Sequence, residues 1–278
     1  MIKDLDKLLN LALQIDGGDK DITSNATINS KQQCTATFIT KLQGIAAGTL
    51  IVERLYNLIN PNIEVTILKE DGTFLNRGDA IVSLKGRMID ILRGSRVASS
   101  ILDTMGSIAF SATKYKEEVK GLKTEICTDF KTIPLFEPFA KEALEIVNVK
   151  QYNNNLQQYC YLNDSHILTL GSVDEAVKAL RKKNLTQPIE VEVINLNEVE
   201  QALALNVDRI LLTEMNIDQM KEALLLNRFN TMIGVSNIPI GRIREYAKMG
   251  FDYIVVNDLA LSVKPMSVYL KVYKRTLK

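Results

Sequence analysis

The sequence predicts an α/β protein in two parts. A mixed N-terminal portion with a small antiparallel sheet is followed by a parallel βα barrel. Three observations carry that reading. From about residue 124, short apolar runs alternate with amphipathic helical stripes in six successive units, and that rhythm gives a parallel sheet whose natural outcome is closure into a barrel. Before it, β-rich stretches are punctuated by Asp-Gly and Arg-Gly-Asp segments, which form turns. The chain has 278 residues, enough for a sizeable core in one large domain or two modest ones.

The elements follow in order. Leu5, Leu8, Leu9 and Ala12 fall at helical spacing and open the chain with a helix. "CTATFITKLQGIAAG" alternates, is β-rich and ends in glycine. "NIEVTILKEDGTFLNRGDAIVSLKG" holds two strand runs around its turn signals. A long helix is expected from about Gly94 to Val119. Then "TEICTDF", "QYCYLN", "PIEVEVI", "DRILL", "TMIGVS" and "DYIVV" read as strands, with helices near 138–149, 172–183, 196–206, 217–226 and 240–249 between them. Val173, Ala176, Val177 and Leu180 mark one helical stripe, Val199, Ala202 and Leu203 another. Eight units do not fit in this length, so the barrel is a short one. No low-complexity linker separates the two parts.

Composition excludes several functions. The formal net charge is +1, and no Lys/Arg tract or aromatic-basic interleaving occurs, which argues against nucleic-acid binding. The N-terminus is charged and amphipathic without the apolar core of a signal peptide, and no later run is long enough to span a bilayer. A cytoplasmic protein without membrane contact is the expectation. Cys34, Cys127 and Cys160 are far apart and odd in number, and read as buried free thiols. With His166 the single histidine, no zinc site is expected.

Barrel chemistry sits at the C-terminal ends of the strands. That rule nominates Phe130, Lys131, Asn163 to His166, Glu190, Glu192, Thr213, Glu214, Ser236, Asn237, Asn257 and Asp258. The competing reading is that these polar residues cap the helices that follow.

Several stretches, in this order, resemble the quinolinate phosphoribosyltransferase family, whose other name is carboxylating nicotinate-nucleotide pyrophosphorylase. A ModD-like protein belongs to the same group. They are "DITS", "ATFITKLQGIAAG", "SRVASSILDTMGSIA", "GSVDEAVKALRK", "IEVEVINLNEVEQAL" and "YAKMGFDYIVVNDLALSVKP". The resemblance implies an N-terminal α/β sandwich domain at 1–110 and an open, TIM-like α/β barrel of six to seven βα units at 111–265, with the tail 266–278 returning to the first domain. It also implies a homodimer, a reaction between phosphoribosyl pyrophosphate and a pyridine acceptor, and Mg2+ if the protein is active.

Carried over residue by residue, the resemblance places catalytic roles on Lys131, Lys141 and Glu192. It places substrate contacts on Arg96, Phe130, Tyr152, Asn153, Asn163, Thr213, Ser236 and Asn237. At Phe130, Tyr152, Asn153 and Asn163 the family pattern has charged donors, and at Thr213 an aspartate. A glycine-rich phosphate loop falls on Ser236 to Ile238, and a second small-residue loop on Asn257 and Asp258. Each lost charged hydrogen bond is worth about 1.5–3 kcal/mol, so three or four losses come to about 5–10 kcal/mol, non-additively. Competing structural readings stand beside the roles: Lys131 and Lys141 as solvated surface lysines, Glu192 as a structural partner, Arg96 as an interface residue and His166 as a cap. Three functions follow as expectations. The first is a diverged phosphoribosyltransferase with a less anionic acceptor. The second is a catalytically inactive homologue that senses a ligand or partners an active relative. The third is an ordinary quinolinate phosphoribosyltransferase of NAD biosynthesis.

Overall fold

The computed structural model describes residues 2–129, 131–151, 156–227, 231–257 and 259–276. Helix α1 (Leu5–Ile15) buries Leu9 and Leu13, as its spacing requires, and α2 (Ile22–Thr27) is capped by Asp21, whose side chain accepts from the Thr23 and Ser24 amides. Strands β1 (Gln33–Ile39) and β2 (Gly44–Ile45) lead into α3 (Thr49–Ile59). The sequence reading assigns no helix there, although Ile51, Val52, Leu55 and Tyr56 are buried at helical spacing. Strands β3 (Glu64–Ile67), β4 (Phe74–Leu75) and β5 (Ala80–Arg87) follow. Helix α4 (Met88–Glu118) starts earlier than the expected Gly94. Arg87 donates to both carboxylate oxygens of Asp90 in its first turn, where a negative charge favours the helix.

The βα rhythm then holds: β6 (Glu125–Thr128), α5 (Glu137–Ile146), β7 (Lys150–Gln151), β8 (Cys160–Leu162), α6 (Asp164–Leu170), α7 (Val173–Arg181), β9 (Ile189–Val193) and α8 (Leu196–Ala204). It continues with β10 (Arg209–Leu212), α9 (Ile217–Leu226), β11 (Met232–Ser236), α10 (Ile243–Met249), β12 (Tyr253–Val256) and β13 (Tyr269–Thr276). Helix α6 is absent from the sequence reading. Its seven residues form under a capping box, in which Asn163 Oδ1 accepts from the His166 amide and His166 Nδ1 accepts from the Asn163 amide.

The elements divide into two compact units, one of Met1–Thr113, Thr132–Asn148 and Ala260–Lys278, the other of Lys114–Lys131 and Val149–Leu259. In the first, the antiparallel sheet runs β13-β1-β5-β3. Strand β1 is central, and Ala36 and Phe38 are wholly buried. The second unit is built on the sheet β7-β6-β12-β11-β10-β9-β8, with every pairing parallel. Strands β7 and β8 lie at its two edges, so the α/β barrel is open, as the family resemblance implies. Inside the curl of the sheet, Cys127, Leu211, Tyr253 and Val255 form one buried cluster. Among the described residues no helix is long and apolar enough to cross a membrane.

Candidate active site

Period-two alternation along parallel strands sends every second residue to one face of the sheet. On β9 this puts Glu190 and Glu192 on the same side, and the register aligns Glu190 with Arg209 and Glu192 with Leu211. The two carboxyls have different surroundings. Glu190 is 0 % exposed and accepts a 3.0 Å hydrogen bond from the Tyr253 hydroxyl, while its Oε2 has no hydrogen-bond partner in the protein. Burial pushes its carboxyl up to about 8, against the opposing pull of Arg209. Tyr253 reaches it because β11 carries glycine at the crossing. A Cβ on Gly234 would stand 2.1 Å from the tyrosine ring. Glu190, nominated by its place near a strand end, therefore lies in the barrel interior and does not line the cavity above.

That cavity, of about 240 Å³, is lined by the C-terminal ends of β6, β8, β9, β10, β11 and β12. Glu192, Lys131, Thr213, Ser236 and Asn237 all contribute to it, so the structure brings these five predicted residues to one place. Glu192 Oε2 accepts from the Tyr161 hydroxyl at 2.8 Å. Burial, and then the Glu192 charge, raise the Tyr161 pKa, so the phenol stays protonated and donates. Lys131 Nζ is 3.8 Å from Asp129 Oδ2. The Thr213 hydroxyl turns to the Val193 carbonyl at 3.4 Å. Asn237 has φ 60° and Glu214 φ 54°, in the left-handed region that most non-glycine residues avoid and asparagine tolerates. Asn237 Oδ1 accepts from Asn257 Nδ2 at 2.5 Å, which ties the ends of β11 and β12 together.

Other predicted residues are not in that lining. Asn163 caps α6 through its side-chain oxygen, and His166 is its partner in that cap. Lys141, on α5 in the first unit, is 3.7 Å from Glu145. Arg96, on α4 in the first unit, pairs with Asp16 at 3.0 Å with its side chain 81 % exposed. Phe130, Tyr152, Asn153 and Asp258 fall outside the described residues. The sequence reading missed Tyr161. The signal available was its place on β8, aligned with Glu190 of β9. The cysteines are free thiols among the described residues, and burial pushes Cys127 up to about 12, away from nucleophilic chemistry.

Comparison with known proteins bears on the whole chain. The family described as "Quinolinate phosphoribosyl transferase, N-terminal domain" matches residues 21–106, and its "C-terminal domain" matches residues 108–271. A probable nicotinate-nucleotide pyrophosphorylase [carboxylating] of Bacillus subtilis (strain 168) is 29% identical over 273 residues, covering 96% of this chain and 93% of that protein. The crystal structure of nicotinate-nucleotide pyrophosphorylase from Ehrlichia chaffeensis superposes with a TM-score of 0.93 at 28% identity, covering 98% of this chain and 100% of that one. NadC from Streptococcus pyogenes gives 0.90 at 27% identity, covering 98% and 96%. With both domain families matched in sequence order and the open barrel in place, the chain belongs to the quinolinate phosphoribosyltransferase family.

Proposed function

We propose that this protein is a phosphoribosyltransferase whose acceptor carries less negative charge than quinolinate. The observation that carries the reading is the charge of the strand-end cavity. Its acidic lining is Asp129, Glu192 and Glu214, and Lys131 is the basic residue among the described lining. Two like charges about 5 Å apart at an effective dielectric near 20 repel by about 3 kcal/mol before salt screening, so a dicarboxylate is poorly matched to this wall. A single aromatic ring suits a space of about 240 Å³.

In the reaction, the ring nitrogen's lone pair attacks C1 of the ribose. The C1–oxygen bond breaks, and pyrophosphate leaves with the electron pair. Lys131 supplies positive charge beside the cavity for the developing anion. Glu192, held by Tyr161, orients the acceptor. Among the described residues no group of three or more His, Cys, Asp or Glu side chains converges on a metal position. Mg2+ is commonly held by one or two carboxylates together with substrate phosphates, so Asp129 or Glu214 of the lining would meet an ion that arrives on the phosphoribosyl donor. Lys141 belongs to this proposal as a further catalytic lysine, and Arg96 as a donor from a second copy in a homodimer.

A second reading, that of a catalytically inactive homologue, is favoured by the Asn237–Asn257 bridge. There the family pattern has small residues that let phosphate approach the backbone, and side-chain amides stand in their place. Pyrophosphate release from the donor separates the readings. The proposal expects release with uncharged pyridine acceptors and at least ~1,000-fold slower release with quinolinate. Comparable rates with quinolinate would instead mark an ordinary quinolinate phosphoribosyltransferase. No release with any acceptor, from a folded protein that binds no donor, would favour the inactive homologue.

A further inference from the structure

Glu190 stands two residues before Glu192 on the same face of β9, and both belong to the second unit. Their Cα atoms are about 7 Å apart, from the rise of a strand. Geometry alone favours a neutral Glu190. The residue is wholly buried, and its Oε2 has no hydrogen-bond partner in the protein, whereas an ionised carboxylate in the interior needs donors for both oxygens. The Tyr253 hydroxyl lies 3.0 Å from this carboxyl and 3.0 Å from the Ile210 carbonyl. Its single proton serves one acceptor at a time, and a proton on Glu190 serves the other. Burial pushes the carboxyl up to about 8, so this proton is lost within reach of neutral pH. The groups that face Glu190 come from every neighbouring strand. From β10 comes the Arg209 guanidinium, which stays charged, with the Tyr159 ring 5.7 Å beyond it. Tyr253 of β12 and Tyr161 of β8 stay protonated because burial raises both phenols. Cys127 of β6 is pushed up to about 12, and the Glu125–Lys150 pair beside it is exposed. Strand β11 presents Gly234, and β9 itself adds Glu192, whose charge opposes ionisation of Glu190. Glu190 is the group here that burial brings to titrate near pH 8.

On the reading that the strand-end cavity takes the phosphoribosyl donor, we propose that Glu190, buried beneath that cavity, controls how tightly the donor is held. Protonated, it leaves Glu192 as the carboxylate of the β9 face. Ionised, it adds a further negative charge beneath a lining that already sets Asp129, Glu192 and Glu214 against Lys131, and the polyanionic donor is repelled. The hydroxyl and amide groups of the same lining keep their state as pH rises. Linkage makes the effect reciprocal. A bound polyanion favours the protonated carboxyl, so donor binding draws in a proton near pH 8.

The test is calorimetric titration of phosphoribosyl pyrophosphate with Mg2+ into the whole protein, as wild type and as Glu190→Gln. Titrations are run at about pH 6.5 and about pH 9.5, on either side of the Glu190 transition, and near pH 8 in two buffers of different ionisation enthalpy. The amide of the variant matches the carboxylic acid in size and stays neutral throughout. At the acid end the two proteins are expected to bind alike, within about twofold. At the alkaline end the variant is expected to bind about fivefold more tightly, the effect of one buried charge after salt screening. Near pH 8 wild type is expected to take up about a third of a proton more than the variant on binding. A merely structural role for Glu190 would not move that proton count. Thermal melts establish that the variant folds. If it does not, proton uptake by wild type near pH 8 decides, since the donor's own phosphates titrate near about pH 6. Equal pH dependence in the two folded proteins overturns the inference, as does proton uptake that the variant shares or that wild type lacks. Donor binding with no such difference sinks this inference alone and leaves the phosphoribosyl reading standing. No donor binding by the folded protein at any of these pH values sinks both.

Discussion

Tyr161 and Glu192 sit on adjacent strands, and the phenol donates a hydrogen bond to the carboxylate. A hydrogen bond to a charged group contributes about 1.5–3 kcal/mol when buried. This pair is only partly buried, so Tyr161→Phe should cost about 1 kcal/mol. A small downward shift of the thermal midpoint would check it. Glu190 is held protonated by burial, with its pKa near 8, well above the unfolded value of about 4.3. The folded state therefore binds more protons than the unfolded one between those limits. Stability on this account is fullest below about pH 4.3 and falls as pH rises towards about 8. Glu190→Gln should flatten that dependence and make the protein more stable than wild type at alkaline pH, as urea titrations across the range would reveal. At the β11 end, Asn237→Gly keeps the left-handed backbone and removes the bridge to Asn257. Severalfold tighter binding of the phosphoribosyl donor is the expected outcome, measured by titration.

Within the elements, the barrel interior depends on glycine at one crossing. Gly234 lets the Tyr253 ring pass over β11 to reach Glu190 and the Ile210 carbonyl. Gly234→Ala would force the ring away, and overpacking of this kind costs about 1–3 kcal/mol. A drop in the denaturation midpoint of that size, with the Tyr161–Glu192 pair retained, is expected. The strands and helices of the barrel were legible because alternating apolar runs and helical stripes recur with regular spacing from "TEICTDF" to "DYIVV". Short elements were less so. Helix α6 is only seven residues long and rests on the Asn163–His166 cap. A histidine in a capping box leaves no apolar stripe to read. The site was legible as strand ends, which is why Lys131, Glu192, Thr213, Ser236 and Asn237 meet in one cavity. Tyr161 escaped because the strand rule nominates residues at and beyond the strand end, whereas this side chain reaches the cavity from inside β8. Glu190 shows the converse, since burial depth cannot be read from a period of two.

Across the whole molecule, the two family domains run in order along one chain, and the last strand, β13, pairs with the first, β1. Met266 precedes it, packed so closely that a Cβ on Gly44 or Gly106 would collide with its side chain. Removing the chain beyond Met266 should strip β1 of one neighbour and leave the first unit's sheet with an open edge. The central proposal, however, is chemical: the strand-end cavity, with Asp129, Glu192 and Glu214 in its lining, takes a phosphoribosyl donor and disfavours a dicarboxylate acceptor. The most direct measurement is calorimetric titration of phosphoribosyl pyrophosphate with Mg2+ into the purified protein, followed by quinolinate. Saturable donor binding at micromolar concentrations, with quinolinate at least ~1,000-fold weaker, is the result this account predicts. Tight quinolinate binding, or no donor binding by a folded protein, would contradict it.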